Sequence, residues 1–256
     1  YKAAKAKVPT IIHESNSYPG VTSKFLSKRV DYLCISYPQA KKHLKYKDNI
    51  VVTGNPVRTN FKETFTDEDL ARLGIKKDRP VVFSFGGSNG SYALNKAVIE
   101  LSKILKDEFY LLHQTGRRNY DKFMEEVTDN PYIKAFSYID NIDLFYAVSD
   151  LVIASSGAMS LAEISAVKKP SILIPKAYTT ENHQQYNAQT YVDNDAALMI
   201  LEKDLDGKIL YDDIISIIND KEKLEAMGKA AGFLADEDAS DKILDLVLEL
   251  VGKNAK

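Results

Sequence analysis

The stretch 151–185 constrains the fold more than any other part of the chain. An apolar run, Leu151-Val-Ile-Ala154, meets a small-residue turn, Ser155-Ser-Gly-Ala158. The segment after it is apolar almost all round and carries one carboxylate, Glu163. A second apolar run, Ser171-Ile-Leu-Ile-Pro175, leads through a polar loop to a helix expected to start at Glu181 behind a Thr180 N-cap. Strand, glycine turn, helix and strand make one βαβ unit, which calls for a parallel sheet with both faces covered. In such sheets ligands bind beyond the carboxyl ends of the strands. Both polar clusters of the stretch, around Ser156-Gly157 and around residues 182–185, fall at that edge.

The same alternation runs through the rest of the chain. Strands are expected at 8–13, 32–36, 50–53, 80–85, 109–113, 132–136 and 197–201. Helices are expected at 21–30, 39–44, 94–105, 120–127, 142–148, 211–218, 222–231 and 241–251. Residues 60–69 read as polar and irregular, and 54–69 as a junction. The fold class is therefore α/β, with two Rossmann-like parallel-sheet domains. Residues 1–57 form the first, 58–236 the second, and 237–256 a closing helix. Three strands are thin for an independent doubly wound domain, so the leading part of the first domain is expected to be missing from this chain. The closing helix carries Ile243, Leu244, Leu246, Val247, Leu248, Leu250 and Val251 around a narrow polar stripe. It is expected to pack back toward the first domain.

Composition removes several classes. A net charge of −2 gives no overall basic field for nucleic acid. One cysteine, Cys34, allows no internal disulfide and fits a reducing compartment. No apolar run is long enough to span a bilayer, and the lysine-rich start lacks the apolar core of a signal peptide. No His/Cys spacing suggests zinc. Asp193-Asn-Asp195 looks like a metal-binding D-x-D, but it ends a helix and reads as a loop turn. No metal and no cofactor are expected.

Several motifs suit phosphate and sugar chemistry. Gly86-Gly-Ser-Asn-Gly90 lies between a strand and a helix start, where unpaired N–H groups and the helix dipole favour an anion, and Ser88 adds a hydroxyl. The alternative is a plain turn with Ser88 or Asn89 as N-cap. Ser156-Gly157-Ala158 is a second such turn, and two of them at one edge suit a diphosphate and its nucleoside. Glu163 can accept two hydrogen bonds from a ribose diol, although Ser160-Leu-Ala-Glu163 also matches a capping box. Gln184 and Gln185 offer amides that both donate and accept, as sugar hydroxyls require. Gln185 is expected on an inward stripe with Ala188 and Val192; the alternative is a solvated first turn. His13-Glu-Ser-Asn16 and Arg58 stand at strand ends, and His113-Gln-Thr-Gly116 is expected to support the edge.

Taken in order, His13-Glu-Ser-Asn16 with Pro19-Gly20, Gly54-Asn-Pro-Val-Arg58, Gly86-Gly-Ser-Asn-Gly90, His113-Gln-Thr-Gly116, Ser156-Gly-Ala158 with Glu163, and Asn182-His-Gln-Gln185 resemble the MurG family over nearly the whole chain. Those are the peptidoglycan N-acetylglucosaminyltransferases that make lipid II from lipid I. The resemblance implies a GT-B fold, with UDP-N-acetylglucosamine (UDP-GlcNAc) in the carboxyl-terminal domain and the lipid-linked acceptor in the incomplete amino-terminal one. It implies Ser88 and Arg58 on the phosphates and backbone hydrogen bonds from Ile139 to uracil. It implies a nucleoside loop of Ala158, Met159, Ser160, Leu161, Ala162 and Glu163, with Glu163 on the ribose. Gln185, helped by Gln184, would read the sugar hydroxyls, and Asn16 would reach donor or acceptor from across the cleft. The implied reaction is inverting and metal-independent, at the cytoplasmic face of the bacterial membrane.

The departures from the family pattern are specific. The Gly-Gly-Thr-Gly-Gly-His loop that opens MurG-like chains is absent, and the membrane-facing hydrophobic patch is expected to be lost with it. Ser155 stands where many relatives carry Arg. His13 is the remaining candidate for the general base. A UDP-sugar-binding half serving a separate acceptor-binding part is the alternative. A UDP-GlcNAc 2-epimerase would need a carboxylate cluster in the cleft, and the sequence shows none.

Overall fold

The computed structural model describes residues 1–58 and 60–254. Its first sheet holds β1 (Ile11–Glu14), β2 (Tyr32–Ile35) and β3 (Ile50–Val52), all parallel and in that order. Ile11 lies opposite Tyr32, and Leu33 opposite Ile50. Leu33, Ile35, Ala40, Leu44 and Ile50 form its core. Helix α1 (Lys2–Lys5) precedes it, and α2 (Val21–Leu26) links β1 to β2. The helix expected at 21–30 stops at Leu26, because the Asn49 amide takes up the Ser27 and Val30 carbonyls (2.8 and 2.7 Å) and holds the chain in a turn.

The second sheet has six parallel strands: β4 (Val81–Phe85), β5 (Tyr110–Gln114), β6 (Ile133–Phe136), β7 (Leu151–Ala154), β8 (Ser171–Leu173) and β9 (Ala197–Met199). Their spatial order is β6-β5-β4-β7-β8-β9. The direction of winding reverses between β4 and β7, which opens a crevice at their carboxyl ends. The helices are α3 (Asp67–Leu73), α4 (Tyr92–Leu101), α5 (Tyr120–Glu126), α6 (Ile142–Val148), α7 (Ala158–Ala166), α8 (His183–Val192), α9 (Gly207–Ile218), α10 (Lys221–Phe233) and α11 (Ala239–Asn254).

Alternate residues of one strand serve opposite faces, as the pleat requires. Val82, Leu111 and Ile153 pack under α4 and α9, with Leu94, Val98, Leu210 and Ile214. Phe83, Leu112 and Val152 pack on the other face with Leu70 of α3 and Phe145 of α6. Burial on both faces explains why these strands read as unbroken apolar runs. Helix α7 is apolar all round for a similar reason. Its Ile164 joins the core under α6, whereas Leu161 joins a separate cluster with Ala188 and Tyr191 of α8.

Three local expectations are corrected. Part of the segment read as irregular is helix α3, which Thr66 starts by accepting from the Asp69 N–H while the Asp69 carboxylate accepts from the Thr66 N–H. Asp in place of Glu at the third position hid that capping box. Helix α4 is capped by Ser91, not by Ser88 or Asn89. Helix α8 begins at His183, because Glu181 and Asn182 both take the left-handed conformation (φ 53° and 54°); the Thr180 side chain lies outside the described residues. One side of α11 is seated on the first sheet, where the Tyr32 hydroxyl donates to Glu249 (2.9 Å) and Leu250 is buried. Its other side leaves Leu244, Val247, Leu248 and Val251 exposed. No helix among the described residues is long and apolar enough to cross a membrane.

Candidate active site

The crevice between β4 and β7 is built by loops packed backbone against backbone. A Cβ on Gly90 would lie 2.0 Å from the Thr115 carbonyl, and one on Gly116 would lie 2.5 Å from that of Asn89. Both residues have positive φ (74° and 85°), so glycine is required twice over. This contact holds the β4 and β5 loops level and leaves Ser88 and Asn89 exposed at the tip. Ser88, Asn89, Arg117, Arg118 and Tyr138 line a cavity of 310 Å³ there, with the Arg117 guanidinium 4.4 Å from the Tyr138 ring centre.

Beneath that rim the polar groups are satisfied by one another. His113 is fully buried; its Nδ1 accepts from Ser84 Oγ (2.7 Å) and its Nε2 donates to Asn95 Oδ1 (3.0 Å). Burial pulls its pKa down to about 3, so the ring is a neutral strut. Gln114 donates to the Gly87 carbonyl (3.1 Å) and accepts from the Ile139 N–H (2.9 Å). Of the Ile139 peptide, then, only the carbonyl is left to meet a ligand.

At the end of β7, Ser155 is buried with no hydrogen-bond partner for its hydroxyl, and Ser156 Oγ donates to the Gln184 carbonyl (2.8 Å). Gly157 is the N-cap of α7 and brings no side chain to it. The N–H groups of Ala158, Met159 and Ser160 thus face outward from the first turn, a ready anion site. Ser160 lies inside the helix, so the capping box with Glu163 does not form. The Glu163 carboxylate instead accepts a 3.1 Å bond from the Tyr146 hydroxyl of α6. Burial raises its pKa, against the opposing effects of that bond and of Arg58. Arg58 grips Asp143 with both nitrogens (2.8 and 3.3 Å) and lies over Phe61.

Gln184 Oε1 accepts from the Lys176 N–H (3.0 Å) and shapes the loop before α8. Gln185 is exposed: it lies in the first turn of α8, at the open edge, while Asn187, Ala188, Thr190 and Tyr191 further along the helix are buried. From the first unit, Glu14 accepts from the Asn16 N–H and side-chain amide (3.0 Å each) and from the Gly20 N–H (2.8 Å). Asn16 then accepts from Asn187 Nδ2 (3.0 Å) across the cleft. His13 Nε2 donates to the Gly54 carbonyl (2.9 Å), which leaves Nδ1 as its basic nitrogen.

Ser88, Ile139, Ala158 to Glu163, Gln184 and Gln185 therefore share the carboxyl edge of one sheet, with Asn16 brought against them by Asn187. His13 and Arg58 sit where the chain passes between the two sheets. The reading of the sequence missed Glu14, Tyr146 and Asn187. Tyr146 gave no signal in the sequence, because the Arg58–Asp143 contact beside it joins residues 85 positions apart. A cavity of 210 Å³ between the units, near Tyr37, Gly54 and Asp236, includes only Ala162 of these residues. Among the described residues no three His, Cys, Asp or Glu side chains gather as a metal would need. Asp193 accepts from Gln189 instead (2.7 Å).

A doubly wound parallel sheet whose switch point faces a second parallel sheet across a cleft is the architecture of the GT-B glycosyltransferases. Residues 81–243 match the glycosyltransferase family 28 C-terminal domain. The chain is 41% identical to the UDP-N-acetylglucosamine–N-acetylmuramyl-(pentapeptide) pyrophosphoryl-undecaprenol N-acetylglucosamine transferase of Finegoldia magna, over all of this chain and 70% of that protein. The crystal structure of Acinetobacter baumannii MurG superposes with a TM-score of 0.79 at 23% identity, over 96% of this chain and 69% of that one. A putative UDP-N-acetylglucosamine 2-epimerase from Listeria monocytogenes shares the fold (TM-score 0.73, 16% identity, 98% of this chain and 70% of that one). The chain belongs to the MurG family of N-acetylglucosamine transferases, which are hexosyltransferases of peptidoglycan synthesis.

Proposed function

We propose that this chain moves N-acetylglucosamine from UDP-GlcNAc to the lipid-linked acceptor lipid I, giving lipid II, by an inverting displacement that uses no metal. The observation that carries this reading is the convergence at the β4/β7 switch point. Two helix-start turns, one half-buried carboxylate and an exposed glutamine meet there, opposite Asn16 of the first unit.

In this reading the ribose diol donates to Glu163, and the Ile139 carbonyl accepts from the uracil N3–H. The diphosphate lies against the first turn of α7, with Ser88 and Arg58 on its oxygens and the positive Arg117 and Arg118 at the rim. Gln185 meets the sugar hydroxyls, while Gln184 holds the loop beside it. The acceptor hydroxyl attacks the anomeric carbon from the face opposite UDP. Its proton passes to His13 Nδ1, and the bond to UDP breaks with its electron pair on the phosphate oxygen. Fixed N–H groups and guanidinium charges take up that charge as it forms, the role a metal plays elsewhere.

Contact with an anionic membrane surface at the cytoplasmic face fits the first unit. Residues 1–57 hold ten Lys and Arg against three Asp and Glu, although the whole chain is slightly acidic. Lys2, Lys5, Lys7 and Lys28 are exposed beside exposed Val21 and Phe25.

Calorimetry with UDP-GlcNAc, with UDP, and with ADP-ribose as control tests the donor site. The expected result is uridine-selective binding that Glu163→Ala and Ser88→Ala both weaken. Equal binding of ADP-ribose, or no effect of either variant, would overturn it.

A further inference from the structure

Several polar and aromatic contacts of the first unit with the second run through α8 and the loop before it, beside the burial of Tyr37 among Leu161, Leu173, Tyr191 and Ala231. Tyr18 stacks on Tyr186 (4.6 Å between ring centres, 16° between planes). Lys24 pairs with Glu181 (3.1 Å), and Gln39 donates to Thr190 (3.0 Å). At the centre is Asn187, which has no exposed surface. Its Oδ1 accepts from the Ser17 N–H (2.8 Å) and hydroxyl (3.1 Å). Its Nδ2 donates to Asn16 Oδ1 (3.0 Å) and to the Ser156 carbonyl (3.2 Å). Two donors and two acceptors are the full capacity of an amide, and all four are used. No other side chain of this length offers that set; Asp cannot donate, and Leu can do neither.

The partners of Asn187 are what give it meaning. Ser156 belongs to the turn that opens α7, and its hydroxyl holds the Gln184 carbonyl. Asn16 and Ser17 belong to the loop that Glu14 braces through three hydrogen bonds. One buried amide therefore ties the diphosphate turn, the start of the sugar-reading helix and the facing loop of the other unit into one hydrogen-bonded body.

The geometry points to Asn187 as a positioning residue that couples the two sides of the cleft, so that filling the donor edge orders the loop 14–20 opposite it. This rests on the donor site proposed above. The Asn187 amide is the hydrogen-bonded link between Ser156, whose hydroxyl holds Gln184, and Asn16 and Ser17 of the facing loop; the Tyr18–Tyr186 stack lies beside that link. The coupling is reciprocal, as any equilibrium coupling must be.

The test is amide hydrogen exchange of the full chain with and without UDP-GlcNAc, read at residues 14–20, beside calorimetry of the same samples. In the unsubstituted chain, UDP-GlcNAc should slow exchange there by about tenfold, although the loop belongs to the other sheet. In Asn187→Asp, UDP-GlcNAc should still bind while the protection of 14–20 disappears. Should that variant fail to fold, Asn16→Ala removes one arm of the same link, leaves the Ser17 bonds, and should lower the protection of residues 17–20 without abolishing it. A loop that is protected equally in these variants, or one never protected when UDP-GlcNAc binds, overturns the coupling and leaves the donor site standing. No heat of binding in the unsubstituted chain overturns both.

Discussion

The hydroxyl of Tyr146 and the carboxylate of Glu163 share a 3.1 Å hydrogen bond between α6 and α7, at the mouth of the switch-point crevice. Each group depends on the other. Burial raises the Glu163 pKa, and the Tyr146 bond and Arg58 hold it back from rising further. The bond fixes one carboxylate oxygen and leaves the other for a ligand.

Glu163→Gln keeps the shape and removes the charge. A hydrogen bond to a charged group contributes about 1.5–3 kcal/mol, so UDP-GlcNAc affinity should drop about 10- to 100-fold. The raised pKa also sets a pH window. In the proposed donor site the ionised form accepts the diol, so affinity should fall on acidification and begin to fall above the ordinary carboxyl value of 4.5. Tyr146→Phe removes a group that lowers the pKa, and should move that fall to higher pH. Calorimetric titrations from pH 7 to pH 5 check all three statements.

His113 gives a second pH effect, of stability rather than binding. Its folded pKa is depressed to about 3 from 6.5. Between those values the unfolded chain takes up a proton that the folded chain refuses, so stability is lost as pH falls through that window. The loss is on the order of 5 kcal/mol at its fullest, and other acids add to it. His113→Phe should be less stable at pH 7 by about 1–3 kcal/mol, since Ser84 and Asn95 lose their partner. Its urea midpoint should nevertheless change less between pH 7 and pH 4 than that of the unsubstituted chain.

The sequence was most readable where a residue's neighbours in space are set by its neighbours along the chain. Strands β4, β5 and β7 are buried on both faces, so their apolar runs stood out. The span 142–148 read from the sequence is that of helix α6 itself, because its apolar side is continuous. Local patterns misled where two readings matched the same residues. Ser160 and Glu163 have capping-box spacing, yet the chain enters the helix two residues earlier, at Ala158. Asn187 was not legible at all: its partner Ser17 lies 170 positions away, and only the packed structure brings them together. The start of α8 reads two residues early in the sequence because two left-handed residues, Glu181 and Asn182, delay the helix, and Gln185, expected inward, lies exposed in its first turn.

The basic first unit predicts a salt-dependent membrane contact. The chain should co-sediment with vesicles rich in anionic phospholipid at low ionic strength and not with neutral ones. Each lysine near an anionic surface contributes about 1 kcal/mol. Replacing Lys2, Lys5 and Lys7 together by Gln should therefore weaken binding by roughly 100-fold, and raised salt should do the same to the unsubstituted chain. Equal binding to neutral vesicles would contradict the electrostatic account.

Gly54 is the point where the connection between the two units is least tolerant. It has φ of 80°, and a Cβ added to it would lie 2.3 Å from the Asp236 Cβ. Asp236 cannot easily withdraw, because Lys242 grips both of its oxygens (2.8 and 2.6 Å). A non-glycine residue therefore meets backbone strain and a clash together, and Gly54→Ala should cost about 2–3 kcal/mol of stability. The Gly54 carbonyl is also what holds His13 Nε2. If His13 is the base, shifting that carbonyl should lower kcat while leaving the KM for UDP-GlcNAc nearly unchanged, since the donor edge is on the other sheet. Asp236→Gly relieves the clash but not the strain, and added to Gly54→Ala it should restore part of the stability. Thermal unfolding of the single and double variants, alongside their steady-state kinetics, separates a clash at the inter-unit connection from simple loss of fold. A double variant no more stable than Gly54→Ala would show that the Asp236 contact is not the source of the cost.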